Sequence, residues 1–417
     1  MIDPDRTRTP ASLTFAFGLA LPVFLAAAGV RLWHVKPASD NGVTENDLGK
    51  RMTDPQAMEE QMAENDSTRV AVNGYGVIGK RVADAIAAQD DIELSGVADI
   101  TGDWRAHIVK HKGFQLYAAS DGHASPMQDA GLEIAGVLDE LLEQSDIVVD
   151  CTPKRIAAKN VELYRRHGIK FIVHGGEAHD VTGHSFVAEA NYDSAVDRNS
   201  TRVVSCNTTS IVRTLSALKR AGLLRRARGT LLRRATDPWE SHLGGIMNTL
   251  VPEATIPSHQ GPDTQSVDPD LDVVTMAVKV PQTLAHLHYW TVQLTRNVEE
   301  EEVLNALRTS SRIALVRAGD GLNAINAIKE MMADLSRPYD SLYEVAVWED
   351  MLKVHGDELF YAYMVDNQAI VIPETIDAIR ALTGTIKDGP ESIAKTDAAL
   401  DIGLAAIGAR LAAQGNR

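Results

Sequence analysis

Apolar and polar positions change rhythm twice along this chain. From Thr68 onward, short apolar runs alternate with helix-like stretches: Val70 to Asn73 reads as a buried strand, Val77 to Gln89 as a helix, and Glu93 to Ala98 as a second strand ending at Asp99. The same rhythm returns as a strand over Asp146 to Cys151, a helix over Ala157 to His167 and a strand over Lys170 to His174. Strands alternating with helices of about 10 to 15 residues predict a parallel sheet covered on both faces. Beyond Cys206 the runs lengthen and alternate, at Thr230 to Ala235, Asp272 to Val280, His288 to Thr295 and Leu342 to Trp348, with few helices between them. That texture predicts a mostly antiparallel sheet in a second, α+β domain. Thr375 to Leu382 and Ser392 to Ala413 read as helices, the latter expected to pack back on the first domain.

Composition narrows the possibilities. The chain has 417 residues, 44% of them hydrophobic, enough for two domains with sizeable cores. Its net charge of −16 is spread along the chain, which disfavours nucleic acid and anionic membrane as partners. Cys151 and Cys206 are the two cysteines, so no disulfide framework exists and a reducing compartment fits.

Candidate chemistry begins at Gly74, Gly76 and Gly79, a complete G-x-G-x-x-G between the first strand and the first helix. Two glycines permit the tight turn and close approach of a pyrophosphate, and the third lets helix and strand pack. Asp99, twenty residues past Gly79, is placed to accept hydrogen bonds from the ribose hydroxyls and to repel a 2′-phosphate. NAD is therefore expected over NADP, with Arg105 the nearby cation. The fold class expected is α/β, a Rossmann-type doubly wound parallel sheet plus an α+β catalytic domain.

Ser205-Cys206-Asn207-Thr208-Thr209 precedes a helix expected over Thr208 to Ala221. A thiol at a helix N-terminus meets unpaired N–H groups and the positive end of the dipole, which favours thiolate. Cys151 ends an apolar strand and reads as inert. A thiol route needs a base, for which His259, His286 and His288 are candidates; the last two share one strand face, so spacing alone does not choose. Arg233 and Arg234, ahead of Asp237-Pro238, can grip an anion bidentately. A dinucleotide site and a sulfur nucleophile in one chain suit oxidation of an aldehyde through an enzyme-bound thioester.

With VAVNGYGVIGKRVADAI, DIVVDCTP, TRVVSCNTTSIVRTL, LRRATDP, IPSHQGPD and VTMAVKVPQTLAHLH, the chain from about Thr68 resembles archaeal-type (type II) phosphorylating glyceraldehyde-3-phosphate dehydrogenase. The resemblance implies Cys206 as nucleophile and His286 as base, with Ser205 and Asn207 on substrate. It implies Arg234, Val77, Ile78 and Gly176 at the cofactor, with Asn367 or Gln368 on the nicotinamide side. Thr208, Thr209, Arg233, His259, Gln260 and Gly261 fall where the family holds substrate phosphate or inorganic phosphate. Domains are expected at 67–205 with 369–417 (NAD(P)-binding) and at 206–368 (catalytic). The implied reaction is phosphorylating oxidation of D-glyceraldehyde 3-phosphate in glycolysis or gluconeogenesis, by a cytoplasmic homotetramer that uses no metal. A semialdehyde or acyl-phosphate dehydrogenase is the alternative among enzymes; a membrane-tethered NAD-binding protein with little turnover is the alternative outside them. Gln260 departs from the paired histidines common in the family, and Asp99 stands where relatives often carry a basic residue.

Residues 1–66 have no counterpart in that resemblance. No residue between Arg8 and Arg31 is charged, and the apolar run 11–30 is near the ~20 residues of a membrane-spanning helix. Arg6 and Arg8 ahead of it also resemble a signal peptide. The polar linker after it carries Met52, Met58 and Met62, and the reading carried forward is that native translation starts at one of these, with a membrane anchor as the minority alternative.

Overall fold

The computed structural model describes residues 67–238 and 245–403. The apolar run 11–30, the linker, the start-site reading and the far end of the last expected helix lie outside these residues. Among the described residues no helix is long and apolar enough to cross a membrane.

Eight strands form the first sheet: β1 (Thr68–Asn73), β2 (Ile92–Asp99), β3 (Leu116–Ala118), β4 (Gly136–Val137), β5 (Ile147–Asp150), β6 (Lys170–His174), β7 (Ser185–Phe186) and β8 (Ser200–Val203). Their order is β4-β3-β2-β1-β5-β6-β8-β7 and each neighbouring pair is parallel. Val70, Ala71 and Val72 on β1 and Ile147, Val148 and Val149 on β5 are all 0% exposed. With both faces covered, these strands are uninterrupted apolar runs rather than alternating ones, hence their legibility in the sequence. Strand order reverses direction between β1 and β5, and the crevice beyond the carboxyl ends at such a point is where open α/β sheets bind ligands.

The second sheet contains β9 (Leu224–Arg234), β10 (Val251–Pro252), β11 (Val273–Val280), β12 (His286–Leu294), β13 (Ile313–Val316), β14 (Val345–Trp348), β15 (Lys353–His355) and β16 (Glu358–Val365). Its order is β10-β11-β9-β12-β16-β14-β13, with β15 pairing β16. It is mostly antiparallel, but β9–β11 and β13–β14 are parallel. The second half is also more helical than its texture suggested, with helices at Glu300–Arg308 and Ile325–Asp334.

Two helices join the sheets. Cys206–Arg220 leaves the end of β8 and packs its body on β9, β14 and β16. It starts two residues earlier than expected because Ser205 Oγ accepts the Thr208 N–H at 3.3 Å and caps it. Every residue from Asn207 to Leu218 is buried, polar ones included. Val371–Thr383 lies on β5, β6, β8 and the Val77–Ala87 helix, buried from Val371 to Leu382. The helix that covers the first sheet is therefore this one, and the helix expected from Ser392 packs back on the first domain through it. That helix, Gly389–Ala399, is only partly buried and packs on Val371–Thr383 and on Ala188–Asn191.

Where these helices meet, charges are buried together. Arg213 Nη2 and Arg312 Nη1 lie 2.6 and 3.3 Å from Glu374 Oε1, all three side chains being 0% exposed. Glu374 Oε2 accepts the Ala188 N–H at 2.6 Å. Arg312 also reaches Asp377 at 2.6 Å and Asp397 at 2.9 Å. Burial alone would push the Glu374 carboxyl up, but Arg213 and Arg312 hold it below the usual carboxylate range. Removing one partner of such a cluster leaves uncompensated buried charge, which costs about 3–5 kcal/mol. Glu374→Ala is expected to lose that much in denaturant unfolding, whereas a loss under about 1 kcal/mol would mean the cluster does not hold the helices together.

Candidate active site

The carboxyl edge of the first sheet collects the candidate cofactor residues. Gly74 follows β1 with φ +96°, and a Cβ there would lie 3.1 Å from the Cys151 carbonyl. A Cβ on Gly79 would sit 1.8 Å from Gly74 O, so the helix starting at Val77 approaches the turn only because residue 79 has no side chain. Gly76 differs: a Cβ there meets nothing within 4 Å, and no side chain caps the Val77–Ala87 helix. Val77 and Ile78 form its first turn, so unpaired N–H groups face open space, as a pyrophosphate requires.

Asp99 is committed more heavily than the sequence suggested. Its Oδ2 accepts the Tyr75 N–H at 2.7 Å, and Oδ1 accepts the N–H groups of Ile100 (2.7 Å) and Thr101 (3.1 Å). The carboxylate therefore ties the glycine turn to the end of β2. Arg105 grips Asp103, with Nη2 to Oδ2 at 2.5 Å. Gly176 lies exposed in the turn after β6, beside Lys154. Asn367 and Gln368 lie in the loop between β16 and the Val371–Thr383 helix. Gln368 bridges Arg81 (3.0 Å) and Asp237 (2.7 Å), while Asn367 Oδ1 is buried without a partner among the described residues.

Cys206 opens its helix and is partly exposed, with the Asn207 Nδ2 amide 3.8 Å from Sγ. His286 and His288 stack on β12 with ring centroids 6.4 Å apart. Their surroundings separate them where spacing did not. His286 Nδ1 accepts the Arg234 N–H at 3.0 Å, so the neutral ring carries its hydrogen on Nε2. His288 bonds Tyr363 Oη at 3.0 Å and Asn207 Oδ1 at 2.9 Å. His259 is 59% exposed at its side chain and lies 2.8 Å from Glu253.

Several of the candidate anion-binding residues are already paired. Arg233 reaches Glu253 at 3.2 Å, and Arg234 reaches Asp237 at 2.6 Å. The Thr208 hydroxyl donates to Asp263 at 2.6 Å, and Asp263 also takes Arg202 at 2.5 Å. Gln260 is 0% exposed and accepts from Ser258 at 2.7 Å. Gly261 sits close under Thr275, 3.2 Å from where its Cβ would be. Among the described residues, Thr209 Oγ1, Gln260 Nε2 and Arg233 Nε are buried polar atoms without partners. Buried donors are seldom left unpaired, so unmet donors in this set fit an anion.

Glu253 and Tyr363 had no sequence signal of their own, since each is defined by a distant partner. Gly175 did have one, a glycine pair after a strand: its Cβ would lie 2.2 Å from Ser205 N, so the turn after β6 packs directly under the cysteine loop.

Opposing electrostatic effects act on the sulfur. Burial pushes the Cys206 thiol up to about 11, against the pull of Arg234, Arg233 and the Asn207 N–H. The two cations and the helix end favour the anion, and desolvation opposes them more strongly. Burial also drives His286 well below its ordinary value and His288 down to about 3, so both rings are neutral. Cys151 is pushed well above the ordinary thiol value by burial and Asp150. Alkylation of Cys206 in the ligand-free protein should therefore rise roughly tenfold per pH unit between about pH 7 and pH 9. A plateau near neutrality would show that the arginines and helix terminus outweigh burial.

Comparison with known proteins follows the same division. Residues 205–350 match the family model of the glyceraldehyde 3-phosphate dehydrogenase C-terminal domain, and residues 68–180 that of the dihydrodipicolinate reductase N-terminus. A glyceraldehyde-3-phosphate dehydrogenase of Methanobrevibacter smithii is 43% identical over 335 residues, 80% of this chain and 99% of the relative. Those of Archaeoglobus fulgidus and Thermococcus kodakarensis are 44% and 42% identical, each over 80% of this chain and 98% of the relative. Identity at that level over nearly the whole of each relative, with the cysteine loop and both sheets in place, shows that this chain belongs to the glyceraldehyde-3-phosphate dehydrogenase family.

Proposed function

We propose that this protein oxidises D-glyceraldehyde 3-phosphate, with inorganic phosphate and a nicotinamide cofactor, to 1,3-bisphosphoglycerate through a thioester on Cys206. The observation that carries this reading is the placement of Cys206, at a capped helix start on the same sheet edge as an uncapped glycine turn. Residues 67–205 with 369–417 would hold the cofactor and 206–368 the reacting groups, in a homotetramer.

The bound cofactor supplies the hydride acceptor. Val77 and Ile78 at the open helix start, Arg234, Gly176 and the Asn367–Gln368 loop are the residues to hold it. Sγ bonds to the aldehyde carbon, and the proton lost by the thiol is matched by one gained at the carbonyl oxygen. Loss of hydride from carbon and of a proton from that oxygen leaves the thioester, which phosphate then cleaves, returning the thiol. His286 is placed to serve the oxygen. With Nδ1 held by the Arg234 N–H, its Nε2–H is a donor, suited to stabilise the oxyanion. Accepting a proton at Nε2, as the base role requires, would cost the bond to Arg234. The unmatched donors on Arg233, Gln260 and Thr209 favour a phosphorylated substrate over a plain semialdehyde.

The test is NADH formation from glyceraldehyde 3-phosphate at graded phosphate concentrations. Turnover should require phosphate and fall on the order of 10³-fold or more in Cys206→Ser, with Cys151→Ser mild. His286→Gln, which keeps a donor, should retain more activity than His286→Ala; equal losses would restore the base role. Phosphate-independent turnover would favour another aldehyde dehydrogenation.

Cofactor choice rests on Asp99. Its carboxylate beside a 2′-phosphate is repulsive by on the order of 1 kcal/mol, giving NAD roughly a tenfold preference. Asp99→Asn is expected to erode that ratio of kcat/KM values. An unchanged ratio with a lowered Tm would assign Asp99 to the turn alone.

A further inference from the structure

Behind Cys206 runs a chain of hydrogen bonds. Tyr363 Oη is 3.0 Å from His288 Nδ1, His288 Nε2 is 2.9 Å from Asn207 Oδ1, and Asn207 Nδ2 is 3.8 Å from Cys206 Sγ. Tyr363 and His288 are 0% exposed and Asn207 is 3% exposed. The two rings face each other because β12 and β16 pair His288 with Tyr363 in register.

Burial keeps the phenol protonated and the imidazole neutral. A neutral imidazole offers one donor and one acceptor. Ser210 Oγ, 3.4 Å from the phenol, donates its hydrogen to Asn207 O at 2.8 Å. The phenol hydrogen goes to His288 Nδ1, the nearer acceptor. Nε2 then carries the imidazole hydrogen and donates to Asn207 Oδ1, which turns the amide N–H groups toward sulfur.

We propose that Tyr363 and His288 are positioning residues for the nucleophile: they lock the Asn207 side chain so that its N–H faces Cys206 Sγ and meets the sulfur anion when the thiol ionises. The proposal rests on Cys206 being the nucleophile. A donor held on sulfur favours thiolate over thiol. The charged groups acting on Cys206 are Arg234 and Arg233 at the end of β9 and Asp366 after β16, the arginines assisting ionisation and Asp366 opposing it. The β12 rings of His286 and His288 and the β16 phenol of Tyr363 are neutral, so what the chain contributes is the orientation of a dipole.

The test is the pH dependence of Cys206 alkylation by iodoacetamide, read by peptide mass spectrometry in a Cys151→Ser background. Tyr363→Phe, which removes one oxygen, should slow alkylation about three- to tenfold at fixed pH and move the profile upward. Asn207→Ala should slow it at least as much, and the double variant no further. His288→Gln, able to accept from Tyr363 and donate to Asn207, should stay within about twofold of the parent, while His288→Leu should not. Alkylation of Tyr363→Phe at the parental rate or faster, or additive losses in the double variant, would overturn the proposal. Faster alkylation is the result expected if the chain ran in reverse with Asn207 Oδ1 on sulfur. Should Tyr363→Phe fail to fold, equal rates for His288→Gln and His288→Leu would overturn it as well. Failure of the nucleophile reading is seen separately, as turnover surviving in Cys206→Ser.

Discussion

Burying two arginines among three carboxylates is what the rest of this structure depends on. Arg213, Arg312, Glu374 and Asp377 have no solvent contact to repay desolvation, so each must be satisfied by its neighbours. Glu374 gives one oxygen to both arginines and the other to the Ala188 N–H. Arg213 spends its remaining donors on Tyr343 O and Ile370 O. Asp377, whose carboxyl is raised by burial, takes Arg312 on one oxygen and the Ser392 and Thr396 hydroxyls on the other. Its members come from four helices and from Arg312 just ahead of β13, so separating any one strands a charge in the others.

That cluster sets the geometry of the reacting groups. Arg213 is two turns along the helix that Cys206 opens, roughly 10 Å from it in rise. Glu374 sits in the first turn of the helix that follows the Asn367–Gln368 loop. Cys206 and the Asn367–Gln368 loop therefore each open a helix tied to the same ionic cluster. The glycine turn is referenced to the same point, because Val371–Thr383 also packs on the helix carrying Gly79.

Within this frame the sulfur is held in a costly environment. Burial outweighs two arginines and a helix end, and the neutral rings of His286 and His288 add no charge. A site of this kind relies on oriented dipoles, the Asn207 amide and the His286 N–H, which need no reorganisation when negative charge develops. Thr209, Gln260 and Arg233 each keep a buried polar atom without a partner among the described residues.

The sequence by itself determined what local chemistry controls. Ala157–His167 and Lys170–His174 fall where their patterns place them, because doubly covered parallel strands and amphipathic helices carry their period in consecutive residues. Gly74, Gly76 and Gly79 were legible because a turn is made by its own residues. Tertiary structure decided what depends on distant partners. His286 and His288 share a strand face in any reading, yet only packing gives one the Arg234 N–H and the other Tyr363 and Asn207. Arg233 meets Glu253, twenty residues away, only through the fold, whereas Arg234 pairs with Asp237 three residues on. Only the fold gives Asp99 the Tyr75 N–H, tying the glycine turn to the end of β2. The ionisation of Cys206 divides in the same way: a helix start that favours thiolate is visible in the sequence, but the desolvation that opposes it is a sum over every neighbour, assigned only when both sheets close around the helix.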